Sequence, residues 1–119
     1  MWRKDQISMA RSNDTCGEDI LCCILGLRDI ESRTYWLLRK KEMEVDEIAK
    51  GMDRDRSSIQ RILTNLIVAG LITRRQLHVK RGKKYIYKTI TPKELKRLLN
   101  QELDIQYENL KGKIDQKVR

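Results

Sequence analysis

Three cysteines and a single histidine carry the most reactive side chains of this 119-residue chain. Cys16, Cys22 and Cys23 follow a C-x5-C-C spacing, a poor match to the C-x2-4-C pairs that close a tetrahedral zinc site. On a helix, Cys16 and Cys23 share a side while Cys22 points elsewhere. The simpler reading is of buried thiols acting as small hydrophobes. A thiol sensor or an intermolecular disulfide is the alternative, in which binding would change on oxidation. His78 lies far along the chain, and a Cys–His nucleophile pair would still lack a third group to orient it. The chain has no Gly-rich phosphate loop, no H-E-x-x-H and no G-x-S-x-G. Asp46 and Glu47 are adjacent on a short helix and so point apart. These residues predict no catalysis, no metal and no cofactor.

A second chemistry is more concentrated. Lys and Arg number 26 against 17 Asp and Glu, a net charge of +9. Most of that excess sits in residues 71–90, where Arg74, Arg75, Lys80, Arg81, Lys83, Lys84 and Lys88 occur with no Asp or Glu. Such a block predicts a polyanionic partner, although charge alone does not name one. Tyr85 and Tyr87 lie within it and fall on one face of a strand, with Ile86 and Lys88 on the other. Core packing suits the pair better than stacking on single-stranded bases.

These residues must be held by elements that the apolar periodicity supplies. Thr15-Cys16-Gly17-Glu18 reads as a capping box, opening a short helix over about 15–26 with Ile20, Cys23, Ile24 and Leu27 at helical spacing and Gly26 as its stop. A second helix begins near Asp29 or Ile30. Its inner set is Ile30, Thr34, Tyr35, Leu37 and Leu38, and Arg39, Lys40 and Lys41 occupy its last turn. A third spans about Val45–Lys50 and ends at Gly51. Asp55 caps the fourth, with Ile59, Ile62, Leu63, Leu66 and Ile67 in one stripe, Ser57, Gln60, Arg61 and Thr64 in the opposite one, and Gly70 at its close. The period then changes to that of a β-hairpin: strands at Leu71–Val79 and Tyr85–Ile90 flank a basic turn, Lys80-Arg81-Gly82-Lys83-Lys84. Thr91-Pro92-Lys93-Glu94 caps a last helix of more than twenty residues. There Leu95, Leu99, Leu103, Tyr107, Leu110 and Ile114 repeat at steps of 4, 4, 4, 3 and 4. Leu95, Leu98 and Leu99 suffice to pack it on its own domain. Leu103, Tyr107, Leu110 and Ile114 are left for a second chain.

Helix, short helix, turn, long helix and basic hairpin is the order of a winged helix-turn-helix. The stretch from Leu25 to Ile90 resembles the DNA-binding domain of archaeal TrmB-like and bacterial MarR-like transcriptional regulators. The residues that carry the likeness are Leu25-Gly26-Leu27, the helix Asp29–Leu38, Val45-Asp46-Glu47-Ile48-Ala49, the run Asp55–Leu63, Leu66, and Gly70-Leu71-Ile72. The resemblance implies that the helix over about Arg56–Ala69 reads a major groove. Its outward candidates are then Arg56, Ser57, Ser58, Gln60, Arg61 and Thr64. Arg suits guanine and Gln suits adenine by paired hydrogen bonds. Ser57 and Ser58 suit phosphate at a helix N-terminus, or merely support the cap. Arg74, Arg75, Lys80, Arg81, Lys83 and Lys84 become wing and backbone contacts, although by alternation the strand residues among them cannot all face DNA. The large C-terminal effector domain of TrmB-like sugar sensors is not represented, so sugar sensing is not carried over.

The expected fold class is therefore mainly α with a small β-hairpin wing, a winged helix-turn-helix with N- and C-terminal flanking helices. Hydrophobic residues at 39% provide one small core and not two. The divisions are an N-terminal arm (1–14), a flanking helix (15–27), the DNA-binding domain (28–90) and a C-terminal dimerisation helix (91–119). The expected function is sequence-specific, double-stranded DNA binding by a homodimeric transcriptional regulator, with the transcription machinery as a further partner and no membrane. No stretch is apolar enough for a membrane helix, and the first residues do not read as a signal peptide, which predicts a cytoplasmic protein. A winged helix that binds protein in the transcription machinery, and an RNA- or single-strand-binding protein, are the alternatives.

Overall fold

The computed structural model describes residues 19–118. In chain order these form α1 (Ile20–Leu25), α2 (Asp29–Leu38), β1 (Met43–Glu44), α3 (Val45–Met52), α4 (Arg56–Val68), β2 (Ile72–His78), β3 (Lys83–Thr89) and α5 (Pro92–Lys117). The strands make one antiparallel sheet in the order β1-β3-β2. The fold is mostly helical with a small sheet, as the sequence predicts, but the sheet has a third strand. Met43 and Glu44 pair with Tyr87 and Ile86, and two residues are too few to show a strand period.

The core lies between the helices and the base of the sheet. Tyr35, Leu38, Ile48, Ile59, Leu63, Leu66, Leu71 and Ile72 are fully buried there. Thr34 is buried with them, and its hydroxyl donates to the carbonyl of Ile30 at 2.7 Å, so that hydroxyl is satisfied, whereas the buried Tyr35 hydroxyl has no hydrogen-bond partner among the described residues. The α4 stripe is as expected: Ile59, Ile62, Leu63 and Leu66 are buried and Ile67 is half-buried.

Three helix ends differ from expectation. The sequence places the stop of α3 at Gly51, but the helix continues to Met52 and Asp53 takes the left-handed conformation, at φ 56°. Gly51 is needed for a close approach instead: a Cβ there would lie 3.0 Å from Leu37 Cδ2. The basic run expected in the last turn of α2 lies beyond its end, because the helix stops at Leu38 and Arg39 is the C-cap. At the start of α1, the N-cap is Asp19; Thr15, Cys16 and their capping box lie outside the described residues.

Asp19 does more than cap. Its carboxylate accepts from the amides of Leu21 (2.8 Å) and Cys22 (3.3 Å), from the Ser32 hydroxyl (2.6 Å) and from the Trp36 indole N–H (3.0 Å), tying α1 to α2. Burial would raise its pKa, but these four donors together outweigh that and hold it below the ordinary carboxylate value. Glu31 behaves alike: burial opposes ionisation, and the Arg28 amide, the Asn65 amide group and the Arg28 guanidinium overcome it. Both folded-state pKa values lie below their unfolded ones. The stability these groups contribute is complete above the ordinary carboxylate range and is lost as pH falls through the depressed values. Asp19→Ala leaves the Ser32 hydroxyl and the Trp36 indole unpartnered. Urea unfolding at neutral pH should show a loss of roughly 1–3 kcal/mol, with a flatter acid limb in the pH profile of stability.

The last helix opens as expected. Thr91 caps it, Glu94 reaches back to the Thr91 amide at 3.0 Å, and Pro92 sits in its first turn. Leu95 and Leu99 are buried and Leu98 is half-buried against the core. Further along, the Gln106 side chain donates to the carbonyl of Ile24 at 2.7 Å, so α1 rests on α5.

Candidate nucleic-acid interface

The polar side of α4 is built by exclusion. Its apolar stripe is committed to the core, so Ser57, Gln60, Arg61 and Thr64 are all exposed. The other two candidates on this helix are already engaged. Ser58 is half-buried and donates its hydroxyl (2.7 Å) and its amide (3.3 Å) to the Asp55 carboxylate, which is thereby held below its ordinary pKa. It supports the cap, the simpler of the two expectations for it. Arg56 reaches across the turn to the carboxylate of Asp46 on α3. Thr64 donates to the carbonyl of Gln60 at 2.9 Å. Its hydroxyl proton is used, leaving the methyl group and oxygen lone pairs for a partner.

The hairpin sorts its bases by face. Arg74 pairs with Tyr87 in the register, and its guanidinium lies 4.2 Å from the centre of the Tyr85 ring. Tyr87 is buried and Tyr85 half-buried, so both tyrosines serve packing. Arg75 occupies the opposite face and pairs with Glu42 at 3.2 Å. Lys84, on the same face as Arg75, pairs with Glu44 of β1 at 3.6 Å. Lys80, Arg81 and Lys83 are exposed at the tip and have no carboxylate partner among the described residues. Of the six wing candidates, these three and Arg74, whose guanidinium stacks on Tyr85, have no ion pair among the described residues.

Arg28 and Arg54 escape sequence reasoning. Together with Ile30, Ser58, Arg61 and Ile62 they line an open cleft of about 210 Å³ between the start of α2 and the flank of α4. No signal in the sequence marks the cleft, because Arg28 and Arg54 stand 26 positions apart and residues 53–70 carry a net charge of only +1. The tertiary fold alone brings them together.

On α5 the expected second-chain stripe is open. Leu103, Tyr107, Leu110 and Ile114 are 44%, 59%, 59% and 60% exposed. Tyr107, Leu110, Ile114 and Val118 line an apolar groove of about 470 Å³ with the stems of Lys111, Lys113 and Lys117. Cys22 is buried and Cys23 half-buried on α1, whereas His78 is exposed at the end of β2. Cys16 lies outside the described residues. Among those residues, no helix is long and apolar enough to cross a membrane.

Comparison with known proteins agrees with this architecture. An uncharacterized protein of Methanocaldococcus jannaschii is 41% identical over 95 residues, which is 79% of each chain. A possible transcriptional regulator from Methanosarcina mazei Go1 superposes with a TM-score of 0.76 at 19% identity, covering 86% of this chain and 88% of its own. A mutant of S. aureus MepR, bound to an oligodeoxyribonucleotide, gives a TM-score of 0.56 at 15% identity over 100% of this chain and 86% of its own. At such identities these two structures establish the winged-helix fold. Residues 21–93 match the family described as sugar-specific transcriptional regulator TrmB, and the chain belongs to this family of winged-helix transcriptional regulators.

Proposed function

We propose that this protein is a sequence-specific, double-stranded DNA-binding transcriptional regulator that acts as a homodimer in the cytoplasm. The observation that carries the reading is the exposed polar face of α4, set in the same small domain as a wing whose tip bases lack carboxylate partners among the described residues. A major groove admits one α-helix. Ser57, Gln60 and Thr64 meet base edges there, and Arg61 stands at the border between this face and the cleft. Lys80, Arg81 and Lys83 supply phosphate contacts, which position the protein without reading sequence. Arg56, Ser58, Arg74, Arg75 and Lys84 contribute by holding the surface in shape, since each is tied to an internal partner. That Tyr87 is buried and Tyr85 lies against Arg74 favours duplex over single strands, which need open stacking platforms.

In this reading, residues 28–90 bind DNA and 91–119 join two copies, with α1 against that junction. The α5 stripe is continuous over about three turns. Its flanking charges divide unevenly along the helix: Glu102, Asp104 and Glu108 precede Leu110, while Lys111, Lys113 and Lys117 follow it with a single acid, Asp115, among them. Antiparallel self-pairing centred near Leu110 sets acids against bases, whereas parallel pairing sets like against like. The direct test is a salt titration of duplex binding. Three tip bases per protomer neutralise ~6 phosphates in a dimer and so contribute about −5 to the slope of log affinity on log salt. A slope near zero would refute DNA binding of this kind.

A further inference from the structure

We propose that Arg28, Arg54 and Arg61 form a phosphate clamp that takes one phosphodiester of the duplex backbone per protomer. It rests on the DNA-binding reading above and adds a contact outside the wing, at the border of the base-reading face. The three arginines that line the cleft come from three separate segments: the N-cap of α2, the turn before α4, and the second turn of α4. Gathering three cations around one cleft is unfavourable unless an anion enters it.

Three arginines elsewhere on the helices and wing are compensated. Arg33 pairs with Asp29, Arg56 with Asp46 and Arg75 with Glu42. In the cleft the pairing is incomplete. Glu31 is the sole carboxylate bound to any of the three among the described residues. It bonds Arg28 through the backbone amide (2.9 Å) and guanidinium (3.3 Å), and it also accepts from the Asn65 side chain at 3.1 Å. Arg54 and Arg61 have no carboxylate partner among the described residues. Glu31 is 7% exposed and sits beneath Arg28 as a positioning residue, fixing the guanidinium at the rim. Ile30 and Ile62 close one wall, which limits water on that side and strengthens the attraction for an oxyanion. Guanidinium forks match phosphate oxygens in pairs.

The cleft's position selects backbone phosphate over a base edge. An α-helix with its side chains is about 10–12 Å across, and the major groove is about 12 Å wide. A helix seated there presses its flanks against the phosphate walls, and the cleft opens on the flank of α4. A soluble phosphate shares the same chemistry, so the experiment separates the two sources.

Arg28→Gln with Arg54→Gln is compared with the native protein by salt titration on several duplexes. Loss of one phosphate contact per protomer should make the slope of the dimer shallower by about 2. All duplexes should weaken alike, with base preference retained. Native-like slope and affinity in the variant would overturn the clamp while leaving DNA binding intact. Failure of the native protein to bind any duplex would instead overturn the functional reading on which the clamp rests. Titration of inorganic phosphate into the DNA-free protein forms the second arm. Saturation well below millimolar phosphate, lost in the variant while its duplex slope stays native, would assign the cleft to a soluble ligand and overturn the proposal. Should the double variant misfold through its effect on Glu31, Arg54→Glu alone carries the test. It removes no internal partner, and duplex affinity should fall on the order of tenfold for every sequence; unchanged affinity would contradict the clamp.

Discussion

Replacing Leu110 and Ile114 by Asp should convert the protein to a monomer and lower its affinity for an inverted-repeat duplex by roughly 10²–10⁴. Both side chains are more than half exposed on a helix whose earlier leucines already satisfy the domain core. The substitutions remove nothing from that core, and the thermal midpoint of the monomer should move little. What they place in a paired interface is buried, unpartnered charge, which is strongly unfavourable. Binding to an isolated half-site should persist, because the α4 face and the wing belong to each protomer alone. Sedimentation equilibrium reads the first effect and fluorescence anisotropy on full and half sites the second. A variant that remained dimeric would show that another surface joins the copies.

The second large effect concerns the division between affinity and specificity. Arg81→Ala with Lys83→Ala removes four phosphate contacts from a dimer. The salt slope should become shallower by about 4, and every duplex should weaken together. Gln60→Ala should leave the slope unchanged and lose about 1–3 kcal/mol of discrimination at one base position in each half-site. Lys83 and Arg81 are the informative pair. Lys84 is already compensated by Glu44, so its removal also frees a carboxylate beside the wing. Equal loss of sequence preference from both sets of substitutions would contradict the assignment of roles.

The elements that position this surface were legible because their signals are local. The Thr91–Glu94 box needs four residues, and the α4 stripe needs one helical face repeated over two turns. The exposed polar face of α4 follows from the same pattern. What escaped depends on partners distant in sequence. β1 exists because Tyr87 and Ile86 offer it an edge, and two residues have no period of their own. The engagement of Arg56 by Asp46 and of Arg75 by Glu42 decides which bases stay available, yet a charge count treats them like Arg81 and Lys83. The Arg28–Arg54–Arg61 cleft is the extreme case, since only the packing of α2 against α4 creates it. Asp19 shows a subtler limit. A capping box at Thr15 is a valid local signal, and the carboxylate that caps α1 also bonds Ser32 and Trp36, which no local pattern can anticipate.

Selection from a random duplex pool at about 0.15 M salt tests the central claim most directly. A homodimer reading bases through α4 predicts an enriched inverted repeat whose half-sites lie roughly 34–36 Å apart, one turn of the duplex, or a multiple of it. Recovery of bound duplex with no sequence enriched over the starting pool would contradict it.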